Sequence, residues 1–149
     1  MTEVLFYHLE QRPLEQVLPI LLEKTLQRGW RAVVQTGSEE RSEALSNTLW
    51  TWRDDGFLPH GTTRDGNAER QPVWLTHEDE SPNGATVKFF VDGAALSDVS
   101  GLERADYMFD GRDEAAVETA RNEWKQIAAS DHEATYWQQD ENGRWQKKA

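Results

Sequence analysis

The sequence predicts an α/β fold: three layers around a mostly parallel, five-stranded sheet with Rossmann-like winding, followed by a C-terminal β-hairpin or extended arm. Two observations carry this. Short apolar runs alternate with amphipathic stretches, and the first two strand–helix units are each under 30 residues, as right-handed parallel crossovers are. The chain's end differs in character, with aromatic and polar residues alternating ahead of Asn142-Gly143. No internal repeat, low-complexity tract or linker divides the 149 residues, so one domain is expected, with 131–149 as its hairpin or arm.

Glu3 to Leu9 alternates and then runs apolar, a first strand. Pro13 suits the first position of a helix, and Leu14, Val17, Leu18, Leu21, Leu22 and Leu26 then trace one apolar face. Pro19 removes a backbone hydrogen bond and predicts a kink near Glu15; Gly29 suits the C-cap. Trp30 to Gln35 is a second strand. Ser38 caps a second helix, with Glu39 and Glu40 in the first turn, where the dipole favours anions. Pro72 to Thr76, Thr86 to Val91 and Ala105 to Phe109 supply three more strands, separated by polar, turn-rich segments. A last helix spans Asp113 to Ala129, with Val117, Ala120, Trp124 and Ile127 on its inward face. Asn142-Gly143 between aromatic runs signals the terminal hairpin, expected to lie on the domain's surface.

Composition narrows the function. The net charge of −11 repels a phosphate backbone, so direct nucleic-acid binding is not expected. Seven Trp and five Phe concentrate burial in large side chains despite an apolar content of 37%. With no Cys there is no disulfide framework, thiol nucleophile or thiolate metal site. No leader pattern and no apolar run near 18 residues occurs, which predicts a cytoplasmic protein that neither is secreted nor spans a membrane. The loops after the first two strands lack a glycine-rich phosphate cradle, and Glu39 and Glu40 would repel a phosphate. No cofactor and no metal site is expected.

Three constellations remain. His8 at the carboxyl end of the first strand, with His60 and Asp55, can be written as a small hydrolase site. Its rival is that both histidines hydrogen-bond loop backbone. A second is the stretch from Thr48 to Thr62, where Trp50, Trp52, Phe57, Leu58 and Pro59 put much aromatic surface on a loop. These residues either cap the core from outside or form a docking patch for a partner. On the last helix, Arg121 and Lys125 are four apart with Trp124 beside them, a rare pairing of cations in so acidic a chain. The plain alternative is a solvated flank with Glu118 paired to Arg121.

Leu49-Trp50, Phe57-Leu58-Pro59-His60 and Gly61, the opening Val4 to Leu9 run and the Trp-bearing last helix together resemble the chi subunit of bacterial DNA polymerase III over essentially the whole chain. The resemblance implies a non-catalytic accessory subunit of the holoenzyme, associated with the clamp loader in the bacterial replisome. It implies a bridge to single-stranded-DNA-binding protein, whose acidic C-terminal tail ends in an aromatic residue with a free carboxylate. Arg121, Trp124 and Lys125 stand where the family places its tail-binding residues. Glu118 and Glu123 crowd that helix and Ala128 adds no third cation, so Arg112 is a further candidate from outside it. The resemblance also assigns Trp50, Phe57, Leu58 and Pro59 to docking a psi subunit or the clamp loader, with His60 shaping the loop.

Overall fold

The computed structural model describes residues 2–52 and 58–149. Its elements are β1 (Glu3–Leu9), α1 (Leu14–Gln27), β2 (Ala32–Gln35), α2 (Glu39–Trp50), a 3-10 turn (Ala68–Arg70), β3 (Val73–Thr76), β4 (Val87–Phe90), β5 (Arg104–Asp110), α3 (Glu114–Ala128), β6 (Glu133–Gln139) and β7 (Trp145–Lys147). The sheet has seven strands, not the five expected, in the order β3-β2-β4-β5-β1-β6-β7. All pairings between named strands are parallel except β6 with β7. β4 and β5 lie between β1 and β2, where Rossmann winding sets β1 beside β2.

The two additional strands are the hairpin. It does form: Gly143 takes φ +78, and Asp140 accepts from the backbone N–H of Asn142 at 2.8 Å and Arg144 at 2.9 Å. It is not a separate arm laid on the domain, however, but the edge of the sheet. β6 pairs in parallel with β1, setting Phe6 beside Tyr136 and Tyr7 beside Trp137, and β7 closes the edge antiparallel, Gln138 opposite Gln146. The reason is visible in β1, where Val4 and Phe6 are fully buried and Leu5, Tyr7 and Leu9 nearly so. Such a run belongs inside a sheet, with a strand on each side.

Alternation along β1 separates two cores. Leu5, Tyr7 and Leu9 pack with Leu18 and Leu22 of α1 and Leu45 and Leu49 of α2. Val4 and Phe6 pack with Phe90, Tyr107, Phe109 and Ala120 on the other face, beneath α3. Three layers result: α1 and α2, the sheet, and α3. α1 continues through Pro19, which is buried, and ends where Gly29, φ +79, donates its N–H to Leu26 O at 2.9 Å. Ser38 caps α2 by accepting from Arg41 N at 3.2 Å. Asp113 caps α3 by accepting from Ala115 N at 3.0 Å and Ala116 N at 3.4 Å, two donors the first turn would otherwise leave bare.

Two ionisable groups sit inside. Lys88 is 5% exposed and donates to Asp79 Oδ1 at 2.7 Å, which holds the Asp79 carboxyl below its ordinary value. Asp106, beside Leu5 on the α1 side of the sheet, is 2% exposed and its Oδ1 has no hydrogen-bond partner among the described residues. Burial pushes its carboxyl up to about 7, against the pull of Arg104.

Candidate functional site

α3 is the least buried of the helices, with Ala120 its one fully buried residue. Arg121 and Lys125 are exposed one turn apart, and among the described residues neither forms an ion pair, with Glu118 or with any other carboxylate. Trp124 turns inward. Its ring meets Phe6 edge-on at 5.4 Å and Tyr136 at 5.8 Å, so it anchors the helix to β1 and β6. Burial pushes the Glu123 carboxyl up from its ordinary value.

Beneath Arg121 a polar chain crosses the sheet's carboxyl edge. Burial raises the Tyr136 hydroxyl's pKa and the Arg121 charge opposes that rise. The same hydroxyl lies 2.8 Å from His8 Nδ1. His8 Nε2 is 2.8 Å from Glu10 Oε1, at an angle that falls short of a hydrogen bond. The ring leans on Gly111, where a Cβ would come within 2.0 Å of it. Neither Tyr136 nor Glu10 stands out in the sequence, because Tyr136 reads locally as part of a separate hairpin. Arg112 stands apart from this cluster. It precedes α3, nine residues and about 13 Å from Arg121 at the helical rise, with Nε 3.6 Å from Asp110 Oδ1.

The aromatic stretch divides likewise. Trp50, the last residue of α2, is 46% exposed, and its ring lies over His60 at 4.1 Å. Leu58 and His60 are buried and Pro59 half-buried. Leu58 belongs to the α1–α2 core. His60 ties the segment to α2, with Nδ1 2.7 Å from Leu58 O and Nε2 3.1 Å from Ser46 O. Phe57 lies outside the described residues, as do Asp54 and Asp55.

These positions overturn the hydrolase reading. His60 precedes Gly61, which bridges to Trp74 of β3, whereas His8 is on β1, four strands further along the sheet. At about 4.8 Å per strand the two lie roughly 20–25 Å apart. Among the described residues no group of three or more His, Asp or Glu is arranged to hold a metal ion.

At the carboxyl ends of the strands, where open α/β sheets tend to bind ligands, a crevice of about 660 Å³ lies between the starts of α1 and α3. Its lining includes Arg41, but that guanidinium grips Asp92 Oδ2 from Nε at 3.0 Å and Nη2 at 2.8 Å. Arg12 and Arg112 also line it, but Glu10, Glu15, Asp92, Asp110, Asp113 and Glu123 outnumber the three cations, which disfavours a phosphate.

Fold and surface together define a three-layer α/β protein with a parallel core and, among the described residues, unpaired cations on its outermost helix. Residues 1–135 match the family described as DNA polymerase III chi subunit, HolC. The chain belongs to that family. It is also similar to a protein named probable DNA polymerase III subunit chi from Rickettsia prowazekii (strain Madrid E), 26% identical over 99 residues. That alignment covers 66% of this chain and 60% of the relative's length. The family match ends within β6, so β7 and the turn before it lie beyond it. Among the described residues no helix is long and apolar enough to cross a membrane.

Proposed function

We propose that this protein is a non-catalytic accessory subunit of the replicative DNA polymerase III in the bacterial cytoplasm. It joins the clamp-loader assembly to single-stranded-DNA-binding protein by holding that protein's acidic C-terminal tail. The observation that carries the reading is the pair Arg121 and Lys125, exposed on α3 and free of ion pairs among the described residues. Cations that hold no carboxylate of their own do not have to release one to take a ligand's. Trp124 and Tyr136 back them with rigid aromatic surface. Arg112, at the far end of the helix, serves only acids further up the tail. A net charge of −11 makes the tail, rather than the DNA it accompanies, the suitable ligand.

Trp50, with Phe57, Leu58, Pro59 and His60, is the reading's second surface, for a psi subunit or the clamp loader itself. Leu58 and His60 act from inside by fixing the loop, which leaves Trp50 as the exposed anchor.

A labelled acidic peptide ending in an aromatic residue with a free carboxylate tests the first surface. Titration at low and moderate salt is expected to give binding in the roughly micromolar range that weakens with salt. Arg121→Ala and Lys125→Ala should each weaken it several-fold. Affinity unchanged in both variants would move the tail off α3, and absence of binding at low salt would remove the bridging role.

A further inference from the structure

On the opposite face of β6 from α3, a groove of about 460 Å³ runs between α1 and the C-terminal hairpin. Val17, Ile20, Leu21 and Lys24 line it at helical spacing, and Trp137 and Trp145 form the facing wall over Tyr7. Ile20 is 39% exposed, one of two large apolar side chains so exposed among the described residues. Trp145 is held edge-on to Tyr7 at 5.0 Å, and Trp137 Nε1 donates to Thr135 Oγ1 at 2.9 Å. The aromatic wall is therefore fixed in place before any ligand arrives.

The groove's charge is opposite in sign to the net charge of the molecule. Its lining holds Arg12, Lys24 and Arg144 and no carboxylate. All three cations are exposed, and none forms an ion pair among the described residues. Arg12 lies over the turn glycine, where a Cβ on Gly143 would meet its Nε at 3.0 Å. The adjacent Asp140 accepts the turn's own backbone N–H groups, and it feels the Arg144 charge without forming an ion pair with it among the described residues.

Gln139 adds an independent sign of a ligand. It lines the groove and is 4% exposed. Its Oε1 accepts from the backbone N–H of Glu10, Gln11 and Arg12 at 3.2, 3.0 and 3.2 Å. Those three donors fix which way the amide faces, and its Nε2 is left buried without a partner among the described residues. A buried donor beside three unpaired cations calls for an acceptor that carries negative charge.

We propose that this groove is a second docking site, which takes an acidic peptide bearing an apolar side chain. The carboxylates meet Arg12, Lys24 and Arg144, one acceptor oxygen meets Gln139 Nε2, and the apolar side chain lies between Ile20 and the two tryptophans. Three cations and aromatic rings would also suit a single-stranded nucleic acid. The net charge of −11 opposes that polyanion, and both tryptophans are half-buried against the core, with little ring face left for bases. The proposal is independent of the reading of α3. Trp137, Gln139, Gly143, Arg144 and Trp145 of the site lie beyond the part of the chain that matches the family.

The test is an NMR titration of the isotope-labelled full chain with a peptide of three aspartates followed by leucine and phenylalanine, blocked at both ends. The Gln139 side-chain amide resonances should shift and saturate. Lys24→Ala combined with Arg144→Ala should weaken binding read at Gln139 by about fivefold or more, while Arg121→Ala leaves it unchanged. Both replaced side chains are exposed, and the dispersion of the amide spectrum checks that the double variant is folded. A Gln139 amide that does not move at millimolar peptide, or that moves with equal affinity in the double variant, overturns the proposal. So does an oligothymidylate that shifts Gln139 where the peptide does not.

Discussion

Two basic regions sit on opposite faces of β6, and they are assembled differently. On α3 the cations Arg121 and Lys125 come from one helix, one turn apart, on an open flank. The aromatic residue between them, Trp124, turns into the core to meet Phe6 and Tyr136. In the groove Arg12, Lys24 and Arg144 come from three separate segments around a bounded space, and Trp137 and Trp145 line it. The α3 flank therefore offers charge with little shape, whereas the groove offers both. In so acidic a protein, local cation density arises either from helical periodicity or from tertiary convergence, and only convergence encloses a ligand.

Trp124→Ala gives the largest expected effect and tests which way that residue faces. A ring packed against Phe6 and Tyr136 should cost about 3 kcal/mol in denaturant unfolding when truncated. A loss below about 1 kcal/mol would make Trp124 a ligand-facing residue and erase the contrast drawn here.

Asp106 sharpens the comparison from the groove side of the sheet, where a carboxyl is buried with one oxygen unbonded. Its carboxyl is held at about 7, above the ordinary 3.8, so the folded state keeps a proton that the unfolded chain releases. That stabilisation is full below the ordinary value and gone once the pH rises past about 7. Asp106→Asn removes the dependence. Relative to the parent, the variant should gain roughly 2 kcal/mol in stability between about pH 5.5 and about pH 8. Parallel stability–pH curves for the two proteins would show that burial does not hold the proton.

The smallest effects should come from the cations themselves. Arg121→Ala and Lys24→Ala, both exposed and without ion pairs among the described residues, should each change stability by less than about 0.5 kcal/mol. A larger loss in thermal unfolding would give either one a structural role.

Features carried by neighbouring residues were legible in the sequence. The apolar stripe of α1, the Ser38 cap, the Asn142-Gly143 turn and the i, i+4 cations of α3 all rest on short-range spacing. The inward face that includes Trp124 was legible for the same reason, and the structure keeps it inward. The pairing of β6 with β1 was not, because it joins residues about 130 apart and no turn announces it. Missing that pairing gave five strands for seven, and it hid the contact of Tyr136 with His8. It also hid the groove, whose cations are scattered from Arg12 to Arg144. Its one local trace is Ile20 and Lys24 beside the apolar stripe of α1. The hydrolase reading failed on the same ground: His8 and His60 each resemble a site residue locally, and the strand order separates them.

Binding to a surface-held oligothymidylate, bare or coated with single-stranded-DNA-binding protein, tests the central claim most directly. The account predicts that the protein binds the coated strand, ignores the bare one, and loses the coated strand when the coat protein's acidic tail is deleted. Equal binding to bare and coated DNA, or undiminished binding to the tail-less coat, would contradict it.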